Sequence, residues 1–143
     1  MKEEAIESLL FNHPYLLDAS FDCANRMQRQ FTYPGGRIDI VFQDDSGLIL
    51  VEVKRTCLVP AHFDQLIRYI DDLSTEQRLS NRHYLVGKAG VGVPTEIAAP
   101  RGYTIRLRLV GREIPHRLRF DAATSRYVPA RRRDRAGVYT LRL

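Results

Sequence analysis

The stretch RIDIVFQDDSGLILVEVK, residues 37–54, limits the possible folds more than any other part of the chain. Large apolar residues recur at every second position in both of its halves, which is typical of β-strands that turn one face to a core. The residues between the halves, 44–47, are polar and end in glycine, as tight turns often do. The stretch therefore predicts a β-hairpin.

The centre of that turn decides which residues face each other across the hairpin. If the turn centres between Asp45 and Ser46, Asp39 and Glu52 lie directly opposite, with their side chains on the same face. Lys54 follows two residues after Glu52 and shares that face. A shift of the register by one residue would move Asp39 to the other face and separate the three groups.

Facing carboxylates on Asp39 and Glu52 repel each other unless a positive charge lies between them. Mg²⁺ and Mn²⁺ prefer oxygen ligands, and Mg²⁺ is often held by only one or two carboxylates. Lys54, beside this pair, could orient or deprotonate a water molecule, or stabilise charge on a phosphate. The other interpretation is a surface hairpin with scattered polar residues, although charges in so apolar a strand pair are costly to bury without a function.

Three segments, GRIDIVF, GLILVEVKR and FDQLIRY, resemble the PD-(D/E)XK nuclease superfamily and are most similar to the nuclease domain of the NucS/EndoMS endonucleases. The resemblance covers roughly residues 1–110. It implies an α/β fold with a restriction-endonuclease-like mixed central sheet flanked by helices. The implied activity is metal-dependent hydrolysis of phosphodiester bonds in duplex, mismatched or branched DNA, by a chain that could form a homodimer. The proline in the superfamily's name is absent, because Ile38 stands beside Asp39.

The resemblance also implies the composition of a metal site. Asp39 and Glu52 would hold Mg²⁺ or Mn²⁺, with the Val53 carbonyl as a further ligand. Lys54 would position or activate the attacking water. These roles make Asp39, Glu52 and Lys54 the central catalytic candidates of the chain.

Similar nucleases complete this site with a glutamate of the first helix. The spacing of apolar residues predicts such a helix over residues 2–11. Glu3 is the first candidate because it falls beside the apolar stripe, and Glu7 is the second. Both glutamates are equally explained as a solvated first turn that the helix dipole favours.

A second helix is predicted from Pro60 to about residue 73, because proline suits the first helical position and apolar residues follow at helical spacing. Periodicity alone places Gln65 on the solvent face and Tyr69 at the margin of the apolar stripe. The spacing after Lys54 matches Gln65 to a glutamine at the edge of the active site in similar nucleases. Tyr69, one helical turn after Gln65, also matches a residue of those nucleases. The resemblance therefore implies a catalytic role for Gln65 and a DNA contact for Tyr69.

The remaining elements complete a mixed sheet flanked by helices. A polar edge strand is predicted over residues 24–33, and a buried strand over residues 84–87. At most a short helix is expected around residues 96–99. In the strand predicted over residues 103–109, apolar residues alternate with Arg106 and Arg108, which are expected to point outward.

Residues 111–143 depart from the family pattern and are predicted to form a basic β extension packed on a core made by residues 1–110. Two or three short strands with an arginine-rich loop are expected there. The chain has a net charge of +5, yet 12 of its 22 Lys and Arg residues lie after residue 100. This asymmetry favours binding of a polyanion through the C-terminal part.

Several basic side chains are candidates for contact with DNA phosphates, because arginine binds phosphate oxygens through its forked donors. A solvated surface position is the alternative for each of them. Besides Tyr69, the predicted DNA contacts are Arg26, Arg29, Arg37, Arg55, Arg131, Arg132, Arg133 and Arg135.

Two other functions fit parts of the sequence. One is a non-cleaving nucleic-acid-binding module with a nuclease-like fold, although a pure binder gains nothing from facing carboxylates near a phosphate. The other is an interaction domain whose basic tail binds an acidic protein. No apolar run approaches the length of a membrane span, and the first ten residues do not resemble a secretory signal. A cytoplasmic protein with DNA, and no membrane, as its partner is therefore expected.

Overall fold

A six-stranded mixed sheet forms the centre of the computed structural model, which describes residues 3–21, 26–90, 94 and 96–142, with the backbone alone at residues 3, 4, 26 and 27. Its strands are β1 (Arg26–Tyr33), β2 (Gly36–Asp44), β3 (Gly47–Cys57), β4 (Arg82–Lys88), β5 (Glu96–Ala98) and β6 (Thr104–Leu109). Their order across the sheet is β1-β2-β3-β4-β6-β5. β3, β4 and β6 run parallel, whereas the other neighbours are antiparallel.

Helices cover the two faces of this sheet. α1 (Glu3–Asn12) and a short 3-10 turn (Pro14–Leu16) lie on one face, and α2 (Pro60–Ser74) lies on the other. Alternate residues of the central strands separate into two apolar clusters, one beneath each helix. The predicted fold class is therefore confirmed. Within the described residues, no helix is long and apolar enough to span a membrane.

The hairpin of β2 and β3 has the predicted register. Asp44 pairs with Gly47 and Ile40 pairs with Val51, so the turn centres between Asp45 and Ser46. Gly47 has a φ of 125°, and a Cβ atom there would collide with the backbone oxygen of Arg78. Glycine is thus required at this turn of the hairpin, which passes close to the segment that connects α2 to β4.

The segment around residues 96–99 differs from the prediction of a short helix. Glu96–Ala98 forms a strand, β5, that pairs with the open edge of β6. The N–H of Ala99 then donates to the carbonyl of Tyr103, at 2.8 Å. A segment this short, between Pro94 and Pro100, cannot complete helical hydrogen bonds of its own, so pairing with a neighbouring strand satisfies its backbone instead.

Arg106 and Arg108 do not simply point outward, as alternation had suggested. Their guanidinium nitrogens lie 3.5 and 3.8 Å from Asp18 Oδ2. Arg108 also donates to the carbonyl of Leu17 at 2.8 Å and lies over the Tyr84 ring. The 3-10 turn and the residues after it therefore cover this part of the sheet. The arginine side of β6, which was expected to face solvent, forms ion pairs with Asp18 instead.

The C-terminal residues form a second sheet, as predicted. Its strands are β7 (Arg117–Asp121), β8 (Arg126–Pro129) and β9 (Val138–Thr140), in the order β8-β7-β9. Leu118 and Leu141 join the apolar cluster beneath α1, and the N–H of Tyr127 donates to the Tyr15 hydroxyl at 2.7 Å. This β extension is thus packed against α1 and the 3-10 turn. The division of the chain at residue 110 stays a prediction.

Candidate active site

Asp39 and Glu52 lie side by side where the regular pairing of β2 with β3 ends. The last paired residues before them are Ile40 and Val51. Beyond this pair, the N–H of Asp39 donates to Glu52 Oε1 at 2.9 Å, and the N–H of Val53 donates to Asp39 Oδ2 at 2.8 Å. Each carboxylate is therefore fixed by a backbone amide of the neighbouring strand.

Glu52 is buried, with its side chain 3% exposed, whereas Asp39 is half-buried. Burial and the nearby charge of Asp39 raise the pKa of Glu52 to about 7, although the ammonium of Lys54, 3.4 Å from Oε2, partly offsets this effect. The pair thus concentrates two carboxylates beside the ammonium of Lys54, and carboxylate oxygens in such an arrangement are suitable ligands for a cation.

Lys54 is held by a chain of two hydrogen bonds that ends on α2. Its Nζ donates to Gln65 Oε1 at 2.7 Å, and Gln65 Nε2 donates to the Tyr69 hydroxyl at 3.1 Å. The structure therefore brings Gln65 to the predicted site, although its helical position alone had indicated solvent. Tyr69 is only 4% exposed. Its hydroxyl faces Gln65 inside the protein, and its contact with DNA stays a prediction.

Gln30 is a residue of this region that the sequence did not indicate. The register of β1 and β2 places it across from Asp39. Its backbone has a φ of 52°, in the left-handed region that glutamine rarely adopts, and its Nε2 donates to Glu7 Oε1 at 2.5 Å. Glu7 is 3% exposed. α1 thus presents a buried glutamate to β1, at the level of the carboxylate pair.

Of the two glutamate candidates of α1, the structure describes the side chain of the second, Glu7, but not that of the first, Glu3. Glu7 is buried and its carboxylate is engaged by Gln30, which a solvated first turn would not produce. Gln30 left no signal in the sequence, because no residue type in this segment indicates a positive φ inside an edge strand.

The donors at this site fit Mg²⁺ or Mn²⁺. Asp39 and Glu52 offer hard carboxylate oxygens, and the carbonyl of Val53 adjoins them in the chain. Among the side chains that the structure describes, no three His, Cys, Asp or Glu groups are close enough to hold a metal ion together. Two carboxylates, with water and phosphate oxygens in the remaining positions, are a common ligand set for Mg²⁺.

The predicted DNA-contacting arginines are spread over the molecule. Arg37 and Arg55 are exposed at the two ends of the hairpin stretch, and Arg29 is half-buried in β1. The side chain of Arg26 lies outside the described residues. Four more arginines are exposed between β8 and β9: Arg131, Arg132, Arg133 and Arg135. Contact of these residues with DNA stays a prediction.

Comparisons with known proteins found matches that include the segment forming this site. The sequence model of one family, described as the endonuclease NucS C-terminal domain, matches residues 2–93. A crystal structure of a repair endonuclease from Pyrococcus abyssi is similar in fold, with a TM-score of 0.59 and 22% sequence identity. The match covers 80% of this chain and 48% of that one, so the chain spans about half the length of that enzyme. No curated protein sequence matches the chain.

Proposed function

We propose that this chain, which belongs to the endonuclease NucS C-terminal domain family, is a metal-dependent endonuclease that hydrolyses phosphodiester bonds of DNA. The observation that carries the proposal is the pair of fixed carboxylates, Asp39 and Glu52, with Lys54 beside them. An acid, then Glu-x-Lys on the next strand, is the arrangement that gives PD-(D/E)XK nucleases their name. The proposed substrates are duplex, mismatched or branched DNA.

Asp39, Glu52 and the Val53 carbonyl would hold Mg²⁺ or Mn²⁺. When bound, such an ion polarises phosphate oxygens and lowers the pKa of a coordinated water molecule. The backbone amides that fix both carboxylates keep these ligands in place before the substrate arrives, so little reorganisation is needed. Glu7, oriented by Gln30, would contribute a further negative charge from α1 near this site without being a ligand of the ion.

Lys54 is suited to a role with water or phosphate. An ammonium group has three N–H donors, and Gln65 and Glu52 take up two directions around Nζ. The third donor can be directed to the attacking water or to a phosphate oxygen on which negative charge develops. Gln65 and Tyr69 would hold the ammonium at the position from which it makes this contact.

The test is cleavage of a panel of duplex, mismatched, flapped and single-stranded DNA in Mn²⁺ and in Mg²⁺, with binding measured in parallel. Asp39→Ala is the inactivating variant. Asp45→Ala is the matched control, because it removes an exposed aspartate from the turn of the same hairpin. Metal-dependent cutting by wild type and Asp45→Ala, with none by Asp39→Ala, supports the proposal.

Two outcomes would contradict it. Equal cutting by Asp39→Ala and wild type would mean that the activity does not come from this site. Binding of DNA without cutting in either metal would favour the non-cleaving nucleic-acid-binding module instead.

A further inference from the structure

Residues 130–137, which we call the arginine loop, join β8 to β9 and contain a closed turn. The N–H of Asp134 donates to the carbonyl of Arg131 at 3.0 Å. In return, the N–H of Arg131 donates to Asp134 Oδ2 at 2.7 Å. These two bonds close a turn that has Arg132 and Arg133 at its centre. The tip of the loop therefore carries two adjacent arginines in a defined backbone conformation.

Two partly buried arginines of β7 attach this turn to the sheet. Arg117 donates to the carbonyl of Asp134 at 2.9 Å and to that of Arg131 at 3.4 Å. Arg119 Nε lies 3.5 Å from Asp134 Oδ2. Between them on β7, Leu118 is fully buried in the core. The turn is thus bound to a strand that is itself anchored in the core, and Asp134 accepts from Arg117 through its backbone and lies beside Arg119 with its carboxylate.

The side chains that point out of the turn are not used by the protein. Within the described part of the chain, the guanidinium groups of Arg131, Arg132 and Arg133 make no hydrogen bond or ion pair, and all three residues are exposed. Arg135 is also exposed but directs its guanidinium to the carbonyls of Arg132 and Asp134. Three uncompensated forked cations on one fixed turn suit phosphate oxygens, and a preformed turn loses little entropy on binding.

We propose that the arginine loop is a binding site for the phosphate backbone of nucleic acid, and that Asp134 is its positioning residue. A carboxylate in a site for a polyanion weakens binding by repulsion if it does nothing else. The Asp134 carboxylate instead accepts from the N–H of Arg131 and lies beside Arg119, so it closes the turn and presents the outer arginines. The choice of DNA as ligand rests on the proposed function, but the inference does not require that the DNA is cut.

The connection to the β extension starts at the C-terminal ends of the parallel strands. β3, β4 and β6 run parallel, so their C-terminal ends lie along one edge of the main sheet, where Lys54 is found. The chain leaves this edge after β6 and reaches β7 through residues 110–116.

The test separates the charge of Asp134 from its geometry. Asp134→Asn removes the charge but keeps an oxygen that can accept from Arg131, whereas Asp134→Ala removes both. Asp121→Ala is the control, because it deletes a carboxylate elsewhere on β7. Affinity for a short DNA duplex is measured by fluorescence anisotropy in EDTA, which prevents metal-dependent cutting, over a series of salt concentrations.

Asp134→Ala is expected to bind about 3- to 10-fold more weakly than wild type, with a salt dependence less steep by about one phosphate contact. Asp134→Asn and Asp121→Ala should bind as well as wild type or better, since each loses a negative charge. Equal melting temperatures would exclude general unfolding, and Arg132→Ala with Arg133→Ala should reproduce the loss without touching the turn's hydrogen bonds.

Tighter or unchanged binding by Asp134→Ala would overturn the inference, because the carboxylate would then act only by repulsion. More effective competition by poly-glutamate than by DNA would also overturn it and would indicate an acidic protein as the partner. Failure of the proposed function is a different result: Asp39→Ala would cut DNA as well as wild type, whatever the loop variants bind.

Discussion

The N–H of Asp39 donates a hydrogen bond to the carboxylate of Glu52 at 2.9 Å, in the place where a β-ladder would have continued. Side chains thus replace backbone pairing between the two strands at this point. The replacement brings two carboxylates together beside the ammonium of Lys54. Burial and the charge of Asp39 raise the pKa of Glu52, so the ionised form of this carboxylate lowers the stability of the metal-free protein.

Glu52→Gln is expected to stabilise the metal-free protein at pH 8. The pKa of Glu52 rises from 4.5 to about 7 on folding, so stability that is present below pH 4.5 is lost as the pH rises through 7. Removing the charge should recover about 1–3 kcal/mol of unfolding free energy at pH 8 and much less at pH 5. Urea denaturation in EDTA measures both values.

The matched control for this experiment is Asp45→Asn, in the exposed turn of the same hairpin, which should change the stability little at either pH. Added Mn²⁺ should raise the melting temperature of wild type and of this control, but not that of Glu52→Gln. A Glu52→Gln variant less stable than wild type at pH 8 would show that the carboxylate pair is not strained.

Tyr69→Phe is expected to slow cleavage without weakening DNA binding. The change removes the hydroxyl that accepts from Gln65, so the amide that holds Lys54 can turn away. The cost of one such hydrogen bond corresponds to a rate about 2- to 10-fold lower. Tyr33→Phe is the control, because the Tyr33 ring packs against Tyr69 but its hydroxyl donates to Asp72. Weaker DNA binding by Tyr69→Phe alone would contradict this expectation and would support the predicted contact of Tyr69 with DNA.

The sequence was sufficient to predict the hairpin and its carboxylate pair, because those features depend on neighbouring residues. A polar turn centred between Asp45 and Ser46 defines one register, and Asp39 then must face Glu52. The helix from Pro60 followed for the same reason, since its stripe and its first residue are local signals.

The parts that the sequence did not reveal depend on contacts between distant segments. A helical wheel gives the angle of Gln65 and Tyr69 around α2, but not the fact that the end of β3 lies within reach of one flank. The pairing of β5 requires the free edge of β6, and the inward position of Arg108 requires Asp18, 90 residues earlier. No pattern within a short window contains these partners.

Gln30→Gly is expected to lower the cleavage rate about tenfold, the effect typical of losing a hydrogen-bonding partner near a metal site. Glycine adopts the left-handed φ at this position without strain, so the fold should persist while the donor to Glu7 is lost. Gln28→Gly, at an exposed position of the same strand, is the control and should leave the rate unchanged. Melting temperature and Mn²⁺ affinity are measured beside the rate. An unchanged rate and an unchanged Mn²⁺ affinity in Gln30→Gly would remove Glu7 from the site.

His83 is expected to make the protein sensitive to acid. Its ring is completely buried, and its Nδ1 accepts from the N–H of Leu50 at 3.0 Å, which requires the neutral imidazole. Burial lowers the pKa of His83 to about 4, against 6.5 for the unfolded chain. Stability contributed by the neutral ring is therefore full above pH 6.5 and is lost as the pH falls toward 4, by up to about 1.4 kcal/mol per pH unit.

His83→Gln tests this expectation, because glutamine can accept from Leu50 but binds no proton. Urea denaturation from pH 4 to pH 7 should give this variant a shallower fall in unfolding free energy on acidification than wild type, by about one proton. Glu52, whose raised pKa acts in the opposite sense, is present in both proteins and cancels in the comparison. His116→Gln, at an exposed position, should retain the slope of wild type. Equal slopes for wild type and His83→Gln would mean that protonation of the buried imidazole does not cause the loss of stability at low pH.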